Sequence, residues 1–277
     1  MKGSAQESLS KLIKKYKINR VVWNRLYSKK SISRDTKIKQ DLKEKNIEVE
    51  TFNAHLLNEP WEVQNNSGLY FKVFTPYWRK AFDVYKAKKY QITSLKSIDP
   101  LEHNEKTQWN FLPSKKWYQK FSNYWKPGEE AALEKLKYYI NNHIDNYKEG
   151  RDRPDLDQTS RLSPHLRFGE ISPRMIVNQV IKSKKLDISS LTFLSEIGWR
   201  EFSYSLLYYS KDLSTMPINE KFSKFPWRKN EKDLNLWKKG KTGIPLIDAA
   251  MRQIYDNGWM HNRLRMVVRS FLVKNLL

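Results

Sequence analysis

Three short stretches hold residue types that could do chemistry together. In "GWMHNRLRM" (258–266) a tryptophan, a histidine, an asparagine, two arginines and two methionines crowd nine positions. On one continuous helix Trp259, Asn262, Arg263 and Met266 would share a face at offsets of three, four and seven. A core face would be apolar, and a solvated face would lack Trp and Met. A mixed face suits a flat organic ligand that needs stacking, amide hydrogen bonding and charge. Arg265 and Arg269 form a neighbouring stripe. A helix with one aromatic anchor and ordinary surface arginines has the same composition, so both readings stand.

The second stretch is "FLSEIGWREFSYSLLYY" (193–209), which puts Glu196, Trp199 and Arg200 on one helical face, with Ser203 one turn further. A carboxyl beside an indole offers a stacking surface and a hydrogen-bonding partner for a base edge, as a pocket for an extruded nucleobase requires. A surface Glu–Arg pair next to a core tryptophan gives the same spacing. The third stretch is "TSRLSPHLRFGEISPR" (159–174). Its Thr159, Ser160, Arg161 and Ser163 lead into a helix starting at Ser163-Pro164, where hydroxyls and backbone amides can hold an anion. Ordinary N-capping produces much the same composition. No glycine-rich nucleotide-binding fingerprint is present.

These stretches need elements to position them. Leu9, Leu12, Ile13 and Tyr16 recur at helical spacing in "AQESLSKLIKKYK". "RVVW" (20–23) reads as a buried strand, "RDTKIKQDLKEKN" (34–46) as a helix facing Ile38 and Leu42 inward, and "IEVETF" (47–52) as a second strand. Helix, strand, helix, strand is the order of a Rossmann-like parallel α/β sheet, but two strands are few for one. A loop and another helix follow to about residue 90. Residues 91–125, rich in Pro, Ser, Asn and Lys with scattered tryptophans, read as a connector lying against a surface. From "KPGEEAALEKLKYYINNHI" (126–144) onward nearly everything is helical. Breaks are expected at Pro127-Gly128, Ser163-Pro164, Ser172-Pro173, Gly198, Pro217, Pro226, Gly243 and Pro245. The organisation expected is therefore an incomplete α/β domain over 1–90, a connector over 91–125 and an incomplete all-α domain over 126–277. The opening helix has no strand before it, and "NRLRMVVRSFLVKNLL" is still amphipathic at Leu277 without a cap, so a chain cut at both ends is expected.

Composition narrows the function class. The formal charge of +22 favours a polyanion, most simply nucleic acid, although 37 of the 52 basic residues are lysines spread along the chain. The arginines say more: eleven of 15 lie between Arg151 and Arg269, among the aromatic and polar clusters. The absence of cysteine removes disulfides, thiolate metal sites and a cysteine nucleophile, and fits a reducing cytoplasm. The five histidines show no metal-ligand spacing, so no metal site is expected. No secretory signal and no 18-residue apolar run is present.

Several long motifs stand in one order: "FKVFTPYWR", "TSRLSPHLRFGEISPR", "EIGWREF", "FPW", "GKTGIPLIDAAMRQIYDNGWMHNRLRM" and "SFLVKNLL". In these the chain resembles the DNA photolyase and cryptochrome family, from about "VVWNRLY" to its last residue. Family members are markedly longer, with a complete α/β domain that often carries an antenna chromophore and a longer helical domain that binds FAD.

The resemblance implies roles. Tyr147, Thr159, Ser160, Arg161, Leu162 and Ser163 match the segment holding the FAD phosphates and ribityl chain, and Arg200 and Arg265 match further flavin contacts. Glu196, Trp199, Asn262 and Met266 match the pocket for a pyrimidine dimer, and Arg151 a contact to the DNA backbone. Trp227 matches the outermost tryptophan of the family's electron-transfer chain, whose inner members would lie beyond Leu277. Photolyases for (6-4) lesions resemble one another in a histidine pair where this chain has His261-Asn262, and plant-type receptors tend to carry an aspartate at position 262. Asn262 with Glu196 and Trp199 therefore favours cyclobutane dimers. The implied activity is light-driven dimer repair by electron transfer from reduced FAD in UV-damaged DNA, with a second, folate- or deazaflavin-type antenna chromophore as an optional cofactor. "YSKKSISRD" departs from the family's more acidic, proline-containing version, so it assigns no antenna site. No membrane and no obligate protein partner is implied, and a monomer is expected. A cryptochrome-like photoreceptor, or a basic DNA-binding fragment without catalysis, are the rival readings.

Overall fold

A computed structural model describes residues 3–88, 111–183, 186–210, 213 and 215–276. The expected connector therefore falls partly outside the described residues. The described residues are mostly helical with one small sheet. Helix α1 (Ala5–Tyr16) starts on a capping box between Ser4 and Glu7. Strand β1 (Arg20–Asn24), helix α2 (Lys29–Glu44) and strand β2 (Glu48–Phe52) follow, and the two strands pair in parallel with Val21 opposite Val49 and Trp23 opposite Thr51. Ile38 and Leu42 are the buried residues of α2, as their spacing predicts.

Two readings of this region change. Strand β1 is not buried: its residues alternate between exposed and half-buried, and Val22 is 53% exposed. A two-stranded sheet has too few neighbours to cover both faces. Helix α2 begins five residues earlier than the apolar period suggests, because Ser28 caps it by accepting from the Ser31 amide at 3.2 Å.

The remaining helices are α3 (Phe74–Ala87), α4 (Glu129–Asn142), α5 (Tyr147–Gly150), α6 (Ser163–Phe168), α7 (Pro173–Ser183), α8 (Ile188–Tyr209), α9 (Glu231–Lys238), α10 (Pro245–Asn257) and α11 (Asn262–Phe271). Ser172 caps α7, accepting from the Met175 amide at 3.1 Å, and Pro245 opens α10, as the Ser-Pro and Pro signals predict. The chain divides into two compact units. The first is Met1–Trp109, Ser163–Leu186 and Leu191–Ile218, and the second is Asn110–Leu162, Asp187–Ser190 and Asn219–Leu277.

In the first unit α3 packs on α8, with Val63, Tyr77, Ala81 and Phe202 forming a buried cluster flanked by Phe71, Phe74, Trp78 and Leu206. Gly198 does not break the chain as expected. It lies inside α8 against the Trp78 ring, where a Cβ would overlap the indole. Here glycine serves close approach, and its helix-weakening tendency is overridden by packing. In the second unit Ile247, Ala250, Met251, Met260, Leu264 and Val268 join α10 to α11. The C-terminal end of the connector is fixed there, for Trp125 Nε1 donates to the Asn257 carbonyl at 2.6 Å. No helix among the described residues is long and apolar enough to cross a membrane.

Candidate functional site

"GWMHNRLRM" is not one helix. Gly258 ends α10 in the left-handed region (φ +75°), and His261 Nδ1 starts α11 by accepting from the Arg263 amide at 3.2 Å. Trp259 lies in the connector between them and shares no helical face with Asn262. Asn262 and Met266 do stand one turn apart on α11, both exposed, and Arg263 reaches Met266 Sδ at 3.8 Å. Arg265 is exposed, stands one turn from Arg269, and has no carboxylate partner among the described residues.

The second unit collects most of the other candidates. Buried Tyr147 sits under the Arg151 guanidinium at 5.6 Å. Asp152 joins two arginines: its Oδ1 is 2.6 Å from Arg263 Nε and 3.6 Å from Arg151 Nε. Arg161 pairs with Asp157 at 3.0 Å and lies over the Trp259 ring at 4.6 Å. Arg161 has φ +49°, a strained backbone for a non-glycine residue. The Ser160 hydroxyl accepts weakly from the Leu162 amide at 3.4 Å, and Leu162 is buried. Thr159 Oγ1 and Arg161 Nε are buried without a hydrogen-bond partner among the described residues. A loop with strained backbone and unsatisfied polar atoms is what an anionic or hydroxyl-rich ligand would complete. Trp227 stands apart, 53% exposed and packed on Phe225 at 4.6 Å.

In the first unit, α8 presents half-buried Glu196 and exposed Trp199 on its outward side, while Ile197, Glu201 and Phe202 face the core. Trp199 stacks on Phe74 at 3.8 Å between ring centroids and 11° between planes. Arg200 turns inward: it donates to the His55 carbonyl at 2.5 Å, approaches Glu201 at 3.3 Å and lies over the Tyr204 ring at 4.9 Å. Glu201, 1% exposed, accepts from the Leu57 amide at 2.7 Å. Burial pushes its pKa up to about 8 against the opposing effects of Arg200 and the Leu57 and Asn58 amides. Ser163 opens the short α6 in the same unit.

A separate hollow of about 210 Å3 lies at the carboxyl ends of β1 and β2, lined by Trp23, Arg25, Tyr27, Asp35, Trp61 and Tyr208 among others. Open α/β sheets place ligands at that end. Arg25 is fixed there by Glu59 at 2.7 Å and Thr51 Oγ1 at 2.7 Å.

Three residues escaped the sequence reading. Glu201 and Phe74 fall inside the quoted motifs, but helical spacing cannot say that one is buried and the other stacked. Asp152 sits in "GRDRPD", where charge density hides one structural carboxylate among its neighbours.

Residues 193–277 match the family described as the FAD binding domain of DNA photolyase, and residues 1–96 the family described as DNA photolyase. A deoxyribodipyrimidine photo-lyase of Agrobacterium fabrum is 41% identical over 99% of the chain and 59% of that protein. Cryptochrome-1 of Arabidopsis thaliana is 32% identical over 97% of the chain and 41% of that protein. The crystal structure of a bacterial class III photolyase from Agrobacterium tumefaciens superposes with a TM-score of 0.88 at 38% identity, over 99% of this chain and 58% of that one. The chain thus spans less than two thirds of the length of these relatives. With both domain families matched in order and the fold shared along the chain, this protein belongs to the DNA photolyase and cryptochrome family.

Proposed function

We propose that this chain repairs cyclobutane pyrimidine dimers in UV-damaged DNA, holding FAD and receiving the dimer flipped out of the duplex. The observation that carries the reading is the outward side of α8, where Trp199 offers an exposed indole one turn from Glu196. Stacking plus one hydrogen-bonding group is what holds an extruded base. The 41% identity to a relative named for this activity supports it.

Bound FAD supplies light-driven one-electron chemistry, and the protein supplies position and electrostatics. Thr159, Ser160, Arg161, Leu162 and Ser163 hold its phosphates and ribityl chain, with Tyr147, Arg200 and Arg265 as further contacts. The unsatisfied Thr159 hydroxyl and Arg161 Nε, and the charge of Arg265, fit such a ligand. Arg200, bonded to the His55 carbonyl, contributes as a fixed charge. Glu196 hydrogen-bonds the dimer and stabilises negative charge developing on it. The Asn262 carboxamide can donate and accept toward a base edge, and Met266 gives apolar contact. Arg151 meets a backbone phosphate, and phosphate contacts from the arginines together make affinity fall steeply with salt. Trp227 would hold the place of the outermost tryptophan of the family's electron-transfer chain, and its exposure suits that place.

We read residues 1–90 as the antenna-type portion, 91–125 as the connector and 126–277 as the FAD- and DNA-binding portion. The hollow at the sheet end is smaller than the roughly 300–1,000 Å3 of sites that enclose a whole organic ligand. A folate- or deazaflavin-type antenna chromophore is therefore kept as an optional second cofactor with no site assigned to it. The chain acts in the cytoplasm as a monomer.

The test is blue-light repair of an oligonucleotide bearing one cyclobutane thymine dimer, after FAD loading and gel filtration. Retained flavin with light-dependent repair is expected, and Glu196→Ala should abolish repair while flavin stays bound. Retained flavin with no repair in the unaltered chain would favour a photoreceptor and sink the enzymatic reading.

A further inference from the structure

The indole of Trp199 is held from behind. Phe74, in the first turn of α3, covers one face of it at 3.8 Å and 11°. Phe74 in turn meets the ring of Phe202 edge-on at 6.0 Å and 67°, and Phe202 meets Trp199 edge-on at 5.9 Å and 76°. Phe202 is 6% exposed and belongs to the α3–α8 core. Three rings thus fix one another, and the deepest is anchored. Val73, at the N-cap of α3, makes no side-chain cap hydrogen bond, so ring packing rather than a cap sets the place of Phe74. One turn on, Trp78 fills the space left by Gly198, which brings α3 close enough for the stack to form.

A ring has two faces. With Phe74 on one, the 46% exposure of Trp199 leaves the other face and its rim for a ligand. We propose that Phe74 is a positioning residue for the base-stacking platform, fixing the Trp199 ring so that a flipped base meets its outer face. The inference rests on Trp199 as the lesion contact, and it makes a residue of the N-terminal segment part of the lesion pocket. Without the Phe74 ring, the indole can tip into the gap behind it. Binding must then bear the ordering of that side chain, which a fixed platform avoids.

The test compares affinities of the full 277-residue chain for a duplex with one cyclobutane thymine dimer and for the same duplex undamaged, by fluorescence anisotropy. Phe74→Ala should lower the damaged-to-undamaged affinity ratio about three- to tenfold, the range of an aromatic pair, with undamaged binding unchanged. Phe74→Tyr, which keeps the ring face, should restore the ratio. Trp199→Ala should lower it at least as far, and adding Phe74→Ala to it should change nothing more. Should Phe74→Ala fail to fold, Phe74→Leu carries the same test, filling volume without a ring face. If the Phe74 variants lower both affinities together, or leave intact a ratio that Trp199→Ala reduces, Phe74 merely packs and the inference is overturned alone. A wild-type chain with no preference for the dimer overturns the lesion contact and the inference with it.

Discussion

The outward side of α8 and the segment from Tyr147 to Leu162 both carry candidate residues, yet different forces hold them. Trp199 is fixed by rings and by a glycine that brings α3 close. Arg151, Arg161 and Arg263 are fixed by the carboxylates of Asp152 and Asp157, both more than half exposed. Dense apolar packing is insensitive to ions and intolerant of added volume. Exposed ion pairs are weak, adjustable and screened by salt. A stacking surface needs the first kind of support, because a tilted ring loses its contact. A grip on phosphates can use the second, because its ligand brings the missing charge.

The largest effect expected is at the packed side. Glu201→Ala should cost about 3–5 kcal/mol by chemical denaturation, since it leaves a void at a buried site and strips the Leu57 amide and Arg200 of their acceptor. The pH dependence sharpens this. With a folded pKa of about 8 against an ordinary 4.5, Glu201 keeps a proton when folded that the unfolded chain has released. That contribution is whole below the unfolded value and is lost as the pH rises through about 8. The wild-type melting temperature should therefore fall from pH 5 to pH 8, and Glu201→Gln should flatten the profile. A wild-type profile already flat across that window would mean that Glu201 is ionised throughout.

Next in size is Gly198→Ala, expected to cost about 1–3 kcal/mol by displacing the Trp78 ring. On an exposed helix the same change would stabilise, so a raised melting temperature would break the contrast between the regions. Smallest is Asp152→Asn, at about 1 kcal/mol or less, and the loss should vanish in 1 M salt. A loss comparable to that of Gly198→Ala, or one indifferent to salt, would show that the arginine segment is packed rather than paired.

The same contrast explains what could be read in the sequence. Ile38 and Leu42 announced the inner side of α2 because burial follows helical period, and Ser172 and Pro245 announced helix starts because capping is local. Spacing misplaces Trp259 because four residues, 258–261, interrupt a run whose composition suits a helix; Gly258 carries the signal, and the mixed polar side of α11 outweighs it. Strand β1 reads as buried because Val21, Val22 and Trp23 are apolar, whereas burial depends on how many neighbours a strand has. Glu196, Trp199, Asn262 and Met266 could be nominated from residue type and spacing, but the Phe74 stack joins positions 125 residues apart and no local pattern encodes it.

Gly198 and Trp78 share one volume, and that ties their histories together. A methyl group at position 198 has room only if position 78 surrenders some, so neither can change far without the other. A larger residue at 198 alone overlaps the indole and a smaller one at 78 alone leaves a void, so the favoured route is a paired exchange. Sequences that drift from this one should therefore trade bulk between the two positions, as one lodger moving out before another moves in.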